Sequence, residues 1–572
     1  MPRKHSLLNY CLILFFLILI LVCALLLYVA IDLNYRYPET SRTLLYAGHN
    51  VLVLMPHEDD ETGTLGGVLE EYVKAGSTVR IAFMTNGDGG KVSAETRFKE
   101  AIDALSICGI QEEDILFLGY GDQWQNGHIY NAAPSETVTS KRGFTKTYGA
   151  PFHDAVRAGI PYTRNNLKDD FRMIIESYLP DTIFCIDCDD HEDHRCTSLL
   201  FEEVMGDLLR DRDDYTPTVF KCFGYSLAWN AAPDFYRENI LSTKNPYSSN
   251  YIKEMPCFIW EDRVRFPLSA DALGRFQLQT TTFSMLNAYH SQSAILQSKS
   301  ILNGDRVFWI RETESILYRA DVDTSSGEKR LLTDYRLVDA PKDISKRYHD
   351  FVWIPNRGDL CPEISVSFSE PTNLSAVYFY DNPSIEDNIL NLEIIFSDGS
   401  SIQTNALNQS GAATRICFEE KTGLTGFLVR ILEKQGDYAG LTELEAYKKV
   451  PDHQISWIKL ENDSDDFVYD YWIESGGNTE EFHIYAYPPR ADKTDYFIME
   501  DGDDGCSAKL DEDRICVVCP VGKRMTITVC DADNPTIRDS IEVSNPSHIS
   551  RLIMSFFQKA ERFFLVIKAK TL

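Results

Sequence analysis

The chain has 572 residues and carries 86 acidic against 56 basic side chains, a formal net charge of −30. That length predicts several domains, and 44% hydrophobic with 12% aromatic residues supplies their cores. The acidic balance argues against nucleic-acid binding, which needs a basic surface.

At the N-terminus, Arg3 and Lys4 precede a nearly unbroken apolar run from Leu7 to Ile31. Such a run is long enough to span a bilayer. Its basic flank predicts a cytoplasmic N-terminus and an exported body. The expectation is an uncleaved signal anchor over residues 1–34 and a single-pass protein of the cell membrane with an extracytoplasmic catalytic body. A cleaved signal peptide is the other reading, though no clear small-x-small site follows the run. Residues 35–45 read as a short stalk.

A β-α alternation follows. Residues 50–55 (N-V-L-V-L-M) read as a buried strand, 62–75 as a helix, 78–85 as a strand, 93–107 as a helix and 114–118 as a strand. Residues 119–164, rich in Gly, Asn, Thr and Tyr, break the rhythm and predict an insertion over a site. A helix over 165–178 and an apolar strand over 182–186 resume it.

Two clusters lie where these strands end. Pro56-His57-Glu58-Asp59-Asp60-Glu61 follows the first strand, and Asp189-Asp190-His191-Glu192-Asp193-His194 follows the strand at 182–186. Open α/β sheets place ligand sites at the carboxyl ends of their strands. Imidazole nitrogens and carboxylate oxygens are zinc ligands, so the two clusters can close one metal site from neighbouring strands. Acidic tracts beside a His also occur as solvated surface. A third reading is internal to the second cluster, where Cys185, Cys188, His191, His194 and Cys196 could bind structural zinc by themselves. Cys185 and its neighbours also suit a buried core.

The ordered pieces P-H-x-D-D-E (Pro56 to Glu61), M-T-N-G-D (Met84 to Asp88), R-x-x-E (Arg97 to Glu100) and H-x-D-H (His191 to His194) resemble the LmbE/PIG-L family of zinc-dependent N-acetylglucosaminyl deacetylases. His290-Ser291-Gln292 is similar to the family's later H-x-S-Q, one residue shorter. The resemblance covers residues 48–315. Glu58 stands where the family usually has Pro, and the stretch before His290 lacks an expected Lys. The resemblance implies a Rossmann-like α/β catalytic domain, residues 35–335, holding Zn2+. It implies His57, Asp60 and His194 as metal ligands, Asp59 as general base and His191 as the group that stabilises the oxyanion or protonates the leaving amine. Asp193 would orient a ligand from behind, and Arg97 would contact sugar. Asn86, Asp88 and Asp122 follow strands and are expected to face the pocket with His290 as substrate contacts. The implied reaction is hydrolysis of the N-acetyl group of an N-acetylglucosamine-type sugar in a surface glycan. A zinc amidase acting on another N-acyl small molecule and a non-catalytic glycan-binding or adhesion protein are the alternatives.

After about residue 339 the pattern turns to short alternating strands: 364–368, 374–380, 392–396 and 426–431, with Asp398-Gly399 as a turn. Leu392 to Gly399 (L-E-I-I-F-S-D-G) and Gly440 to Tyr447 (G-L-T-E-L-E-A-Y) resemble a discoidin-type β-sandwich, a jelly roll whose end loops often bind carbohydrate, bounded at 336–449. A spacer or docking domain is the plainer reading. Residues 450–545 read as a second, immunoglobulin-like sandwich. There Cys506, Cys516, Cys519 and Cys530 are candidates for disulfides or buried thiols. Residues 546–572 carry apolar residues at helical spacing with a basic face. That pattern suits a helix lying in a membrane interface or one packed on its own domain or another subunit.

Overall fold

A computed structural model gives the fold. It describes residues 3–32, 46–224 apart from 125–127 and 188–190, short pieces between 229 and 294, and 306–337. It also describes 351–487 apart from 385, 410, 452–456 and 463–469, and 495–556 apart from 536 and 554.

The N-terminal run forms a helix, Arg3–Asp32. Its described side chains, residues 10–24, are almost all exposed. Among the described residues no helix is long and apolar enough to cross a membrane. The transmembrane signal anchor and the single-pass membrane location expected from the sequence are corrected accordingly.

The first sheet comprises β1 (Asn50–Met55), β2 (Thr78–Thr85), β3 (Ile115–Tyr120), β4 (Thr182–Ile186) and β5 (Thr218–Cys222). A small ribbon of β6 (Trp229–Ala231) and β7 (Ser242–Lys244) stands apart, and β8 (Val264–Phe266) and β9 (Arg306–Arg311) complete the sheet. The order is β3-β2-β1-β4-β5-β9-β8. The first five strands run parallel, and β9 and β8 are antiparallel additions. Parallel strands with helices on both faces are buried throughout, so they read as continuous apolar runs. Val51, Val53, Met55, Phe83 and Phe184 pack on one face with Phe98, Ala101 and Leu105 of the helix Ala94–Ile107. Leu52, Leu54, Met84 and Ile183 pack on the other with the helices Arg164–Tyr178 and Glu192–Asp211. Each large apolar side chain so enclosed contributes about 1.5–3 kcal/mol. The helix read over 62–75 is interrupted at Gly66-Gly67 and forms Asp60–Leu65 and Val68–Lys74.

The second sheet is antiparallel: β10 (Asp321–Thr324), β11 (Glu363–Asp381), β12 (Asn388–Phe396), β13 (Ser401–Gln403), β14 (Ala413–Gln435) and β15 (Leu441–Tyr447). It takes in residues 321–324, ahead of residue 336 where its start was expected. The runs read as 364–368 and 374–380 are one strand, whose pairing with β14 shifts register three times between Ser367 and Ala376. Such bulges bend a strand without ending it. Every residue of β15 is buried.

Two four-stranded sheets follow. One holds β16 (Trp457–Glu461), β18 (Thr479–Tyr487), β20 (Ser507–Asp511) and β21 (Arg514–Val518). The other holds β17 (Asp470–Trp472), β19 (Tyr496–Gly502), β22 (Arg524–Asp531) and β23 (Arg538–Ser544). They share one core, with Leu460, Phe482, Ile515 and Val517 from the first meeting Ile527, Val529, Ile541 and Val543 from the second. Residues 548–553 are helical with Ile549, Leu552 and Ile553 exposed. The rest of the expected amphipathic helix, from 557 onward, lies outside the described residues.

Candidate metal centre

Strand order reverses at β1: β2 and β3 lie to one side, β4 and β5 to the other. The carboxyl ends of β1 and β4 therefore flank a crevice, the ligand position of such sheets. His57, Asp59 and Asp60 leave β1 there; His191 and His194 arrive just beyond β4. The loop after β1 turns directly into the helix Asp60–Leu65. The helix Glu192–Asp211 begins behind His191, whose Nδ1 accepts the Asp193 amide at 3.2 Å.

The three imidazoles converge: His57, His191 and His194 offer ligand atoms all within 4.8 Å of one another. The Asp60 carboxylate sits among them, its Oδ2 3.1 Å from His57 Nδ1 and 3.2 Å from His194 Nε2. On its other edge His57 Nε2 lies 3.2 Å from Asp193 Oδ2. A carboxylate on the far nitrogen is the usual device for turning a ligand imidazole toward a metal, and it leaves Nδ1 for the Asp60 side. Asp193 is itself held by Trp124 Nε1 at 2.8 Å and His128 Nε2 at 3.0 Å. Gly224 leaves room beside the cluster, since a Cβ there would stand 2.6 Å from His194 Cε1 and 3.0 Å from Asp60 Oδ1.

The donor set fits a metal ion. Two imidazole nitrogens and a carboxylate oxygen leave one position of a tetrahedral zinc site open, the catalytic pattern. Asp122 adds a buried carboxylate oxygen, Oδ1, that has no hydrogen-bond partner and lies 3.6 Å from His57 Nε2. Burial differs across the cluster. The His57, Asp60 and His194 side chains are 9%, 8% and 0% exposed, whereas those of Asp59 and His191 are each 25% exposed and can meet an incoming molecule.

Burial alone would raise Asp60, but the His194 and His57 rings hold it well below the usual carboxylate range. Burial lifts Asp59 to about 6, against the pull of Arg97. Burial and then the charge of His57 push His191 down to about 4. Burial would lower His57, yet the Asp122, Asp193 and Asp60 carboxylates raise it well above its ordinary value.

Asp59 has φ 150° and ψ −21°, outside the regions open to a residue with a side chain, a conformation costing on the order of 1–3 kcal/mol. Its amide donates to Glu61 Oε2 at 3.1 Å, and Arg97 Nη2 donates to its Oδ1 at 3.5 Å. Arg97, expected to contact sugar, is 4% exposed and also pairs with the buried Glu58 at 3.2 Å. Gly87, at φ 56°, makes space for this pair, because a Cβ would stand 2.3 Å from Arg97 Nε.

The other expected contacts divide. Asp122 reaches the metal cluster. Asn86 and Asp88 are buried in the loop framework: Asn86 Nδ2 donates to the Gly119 and Tyr148 carbonyls, and Asp88 accepts the Asp122 amide at 3.0 Å and the Tyr148 hydroxyl. His290 is exposed on a turn. Its neighbour Tyr289 is fully buried and donates to Glu61 Oε1 at 2.6 Å. Counting H-x-S-Q back from Ser291 falls on Tyr289, the signal that would have found it. His128 and Trp124, inside the insertion, carried no motif. Of the cysteine alternative, Cys185 and Cys196 are buried core thiols raised by burial, and Cys188 lies outside the described residues.

Residues 52–205 match the family model described as PIG-L, GlcNAc-PI de-N-acetylase. Residues 316–447 match a domain of unknown function, DUF7402. No curated protein matches the chain. Among solved structures, the chain is similar to N,N'-diacetylchitobiose deacetylase from Pyrococcus horikoshii (16% identity, 46% of this chain, 84% of that one, TM-score 0.26). It is also similar to the zinc inhibited form of teicoplanin deacetylase Orf2 (15%, 46%, 97%, 0.28). A third is the family 32 CBM from C. perfringens NanJ in complex with galactose (15%, 22%, 92%, 0.17).

Proposed function

With a PIG-L-type deacetylase domain over residues 52–205, a metal-dependent hydrolase, we propose that the chain hydrolyses the N-acetyl group of an N-acetylglucosamine-type sugar. The observation that supports it is one cluster in which the His57, Asp60 and His194 side chains are nearly enclosed while Asp59 and His191 are reachable.

His57, Asp60 and His194 would hold zinc, which when bound supplies Lewis acidity and water of lowered pKa. Asp59 takes the proton of the attacking water as its oxygen bonds to the acetamide carbonyl carbon. A carboxylate raised by burial suits a base working near neutrality. His191, with Nδ1 engaged by the Asp193 amide, presents Nε2 to the oxyanion that develops on the carbonyl oxygen, stabilising charge where it appears. The C–N bond then breaks, the amine receives the proton, and acetate and a free amino sugar leave. Asp193 keeps His57 oriented; Asp122 and His128 line the same wall. The sandwich-rich remainder would hold the enzyme near a polymeric substrate.

The test is acetate release from N-acetylglucosamine oligomers by the full chain, stripped of metal, reconstituted with zinc, and compared with Asp59→Ala. Zinc-dependent release lost in the variant supports the reading. Absence of release by a zinc-loaded chain would remove the amino-sugar substrate.

A further inference from the structure

The residue proposed as base, Asp59, has a backbone conformation that its own type does not favour, at φ 150°. Something must hold it. Its own side chain makes no capping bond to the helix that starts behind it. The one side chain that accepts the Asp59 amide is Glu61, which is fully buried. Glu61 is clamped in turn: Oε1 accepts the Thr62 hydroxyl at 2.5 Å and the Tyr289 hydroxyl at 2.6 Å, leaving Oε2 for the amide.

Tyr289 comes from a distant part of the chain, and its segment is anchored separately. The helix Thr281–Ala288 packs on the helix Ala94–Ile107. Beyond Tyr289, the Ser291 amide and hydroxyl both donate to Glu100, at 2.8 and 2.6 Å. A tyrosine hydroxyl brought this far to meet a buried carboxylate fixes that carboxylate to one rotamer, since each oxygen already has a partner.

We infer that Glu61 and Tyr289 are positioning residues for the reaction: Tyr289 locks the Glu61 carboxylate, and Glu61 holds the Asp59 backbone in the strained turn that aims its side chain into the metal centre. This rests on the reading of Asp59 as the base. The Glu61 side chain bonds to the Asp59 amide, to Thr62 and to Tyr289, so the pair is expected to govern turnover rather than binding. Misplacement of a reacting group by a fraction of an ångström to 1 Å costs on the order of 10- to 100-fold in rate.

The experiment compares Tyr289→Phe and Glu61→Met with Asp59→Ala in the full zinc-loaded chain, reading kcat and KM for N-acetylglucosamine oligomers and, separately, zinc affinity by chelator competition. Tyr289→Phe removes one hydroxyl and keeps the ring, so it folds even where Glu61→Met does not. The expected result is a kcat about 10-fold lower in Tyr289→Phe, with KM and zinc affinity within threefold of the wild type. An unchanged kcat overturns the inference, as does a loss that follows KM or zinc affinity. Should Asp59→Ala itself retain full turnover, the assignment of the base fails instead, whatever Tyr289→Phe does.

Discussion

The Arg311 guanidinium at the end of β9 and the Glu445 carboxylate on β15 form an enclosed ion pair that joins the first sheet to the second. Arg311 is 5% exposed and Glu445 not at all. Both carboxylate oxygens are further satisfied: the Tyr380 and Tyr447 hydroxyls donate to Oε2 at 2.7 and 2.6 Å, and Tyr318 donates to Oε1 at 3.3 Å. The guanidinium stacks 4.2 Å over the Tyr335 ring. The carboxylate is fully bonded while Arg311 Nε is buried without a hydrogen-bond partner, and the damage comes from removing one partner and leaving the other charged and enclosed.

Glu445→Ala is therefore expected to destabilise the chain by about 3–5 kcal/mol. Arg311→Met combined with Glu445→Leu should recover part of that loss, because no unpaired charge remains while the Tyr318, Tyr380 and Tyr447 hydroxyls lose their acceptor. Urea unfolding of the two variants beside the wild type checks it, and a loss in Glu445→Ala below about 1 kcal/mol, the scale of an exposed pair, would show that the pair is solvated.

Asp193 should matter to metal binding without being a ligand. Its contact with His57 Nε2 is of the kind whose removal costs about 10- to 100-fold in metal affinity. Asp193→Asn is expected to weaken zinc by that range in a chelator competition, whereas His194→Ala should abolish tight binding. Equal affinities in Asp193→Asn and the wild type would mean that the His57 ring is oriented by something else.

Asp381 predicts a pH effect remote from the site. Burial lifts its carboxyl to about 7, although the Ile389 and Asn382 amides and Asn388 all donate to it. The folded value lies above the ordinary carboxylate value, so the folded chain binds the extra proton. Its contribution is complete below about pH 4 and is lost as pH rises toward 7. Asp381→Asn should flatten the fall in stability between pH 4 and 7 relative to the wild type, seen in thermal melts across that range. Parallel profiles for the two proteins would refute it.

Cys506 and Cys519 bring their sulfurs to 3.6 Å, while Cys516 is exposed and Cys530 buried. A thiol-disulfide oxidant such as oxidised glutathione is expected to link Cys506 to Cys519, each thiol giving up a proton and an electron. Peptide mapping by mass spectrometry should find that pair ahead of any involving Cys516. Preferential capture of Cys516 as a mixed disulfide, with Cys506 and Cys519 left reduced, would be the contrary result.

Much of the first domain was legible in the residues. A strand buried on both faces must be apolar throughout, so Asn50–Met55 and Thr182–Ile186 stood out. His57 with Asp60, and His191 with His194, are close in sequence and needed only two strand ends to be neighbours. Orientation was the least legible feature. Arg97 turns inward to Glu58 and Asp59, and Tyr289 faces the interior while its neighbour His290 is exposed. One residue along a turn reverses the direction of a side chain, and apolar periodicity does not report it. The strand Glu363–Asp381 was read as two because Pro371 and the polar residues around it look like a break. The register shifts absorb them in one bent strand.

The order of apolar runs and the residue types at their ends determined, from sequence alone, a parallel sheet and the chemistry of the donors, since both are local properties of the chain. Only the tertiary structure decided that β1 and β4 are adjacent, that Asp193 fixes one edge of His57 and leaves the other to Asp60, and that Glu61 and Tyr289 brace Asp59. Those contacts join residues far apart in the chain, and their energies depend on burial and distance, which exist only once the chain is folded.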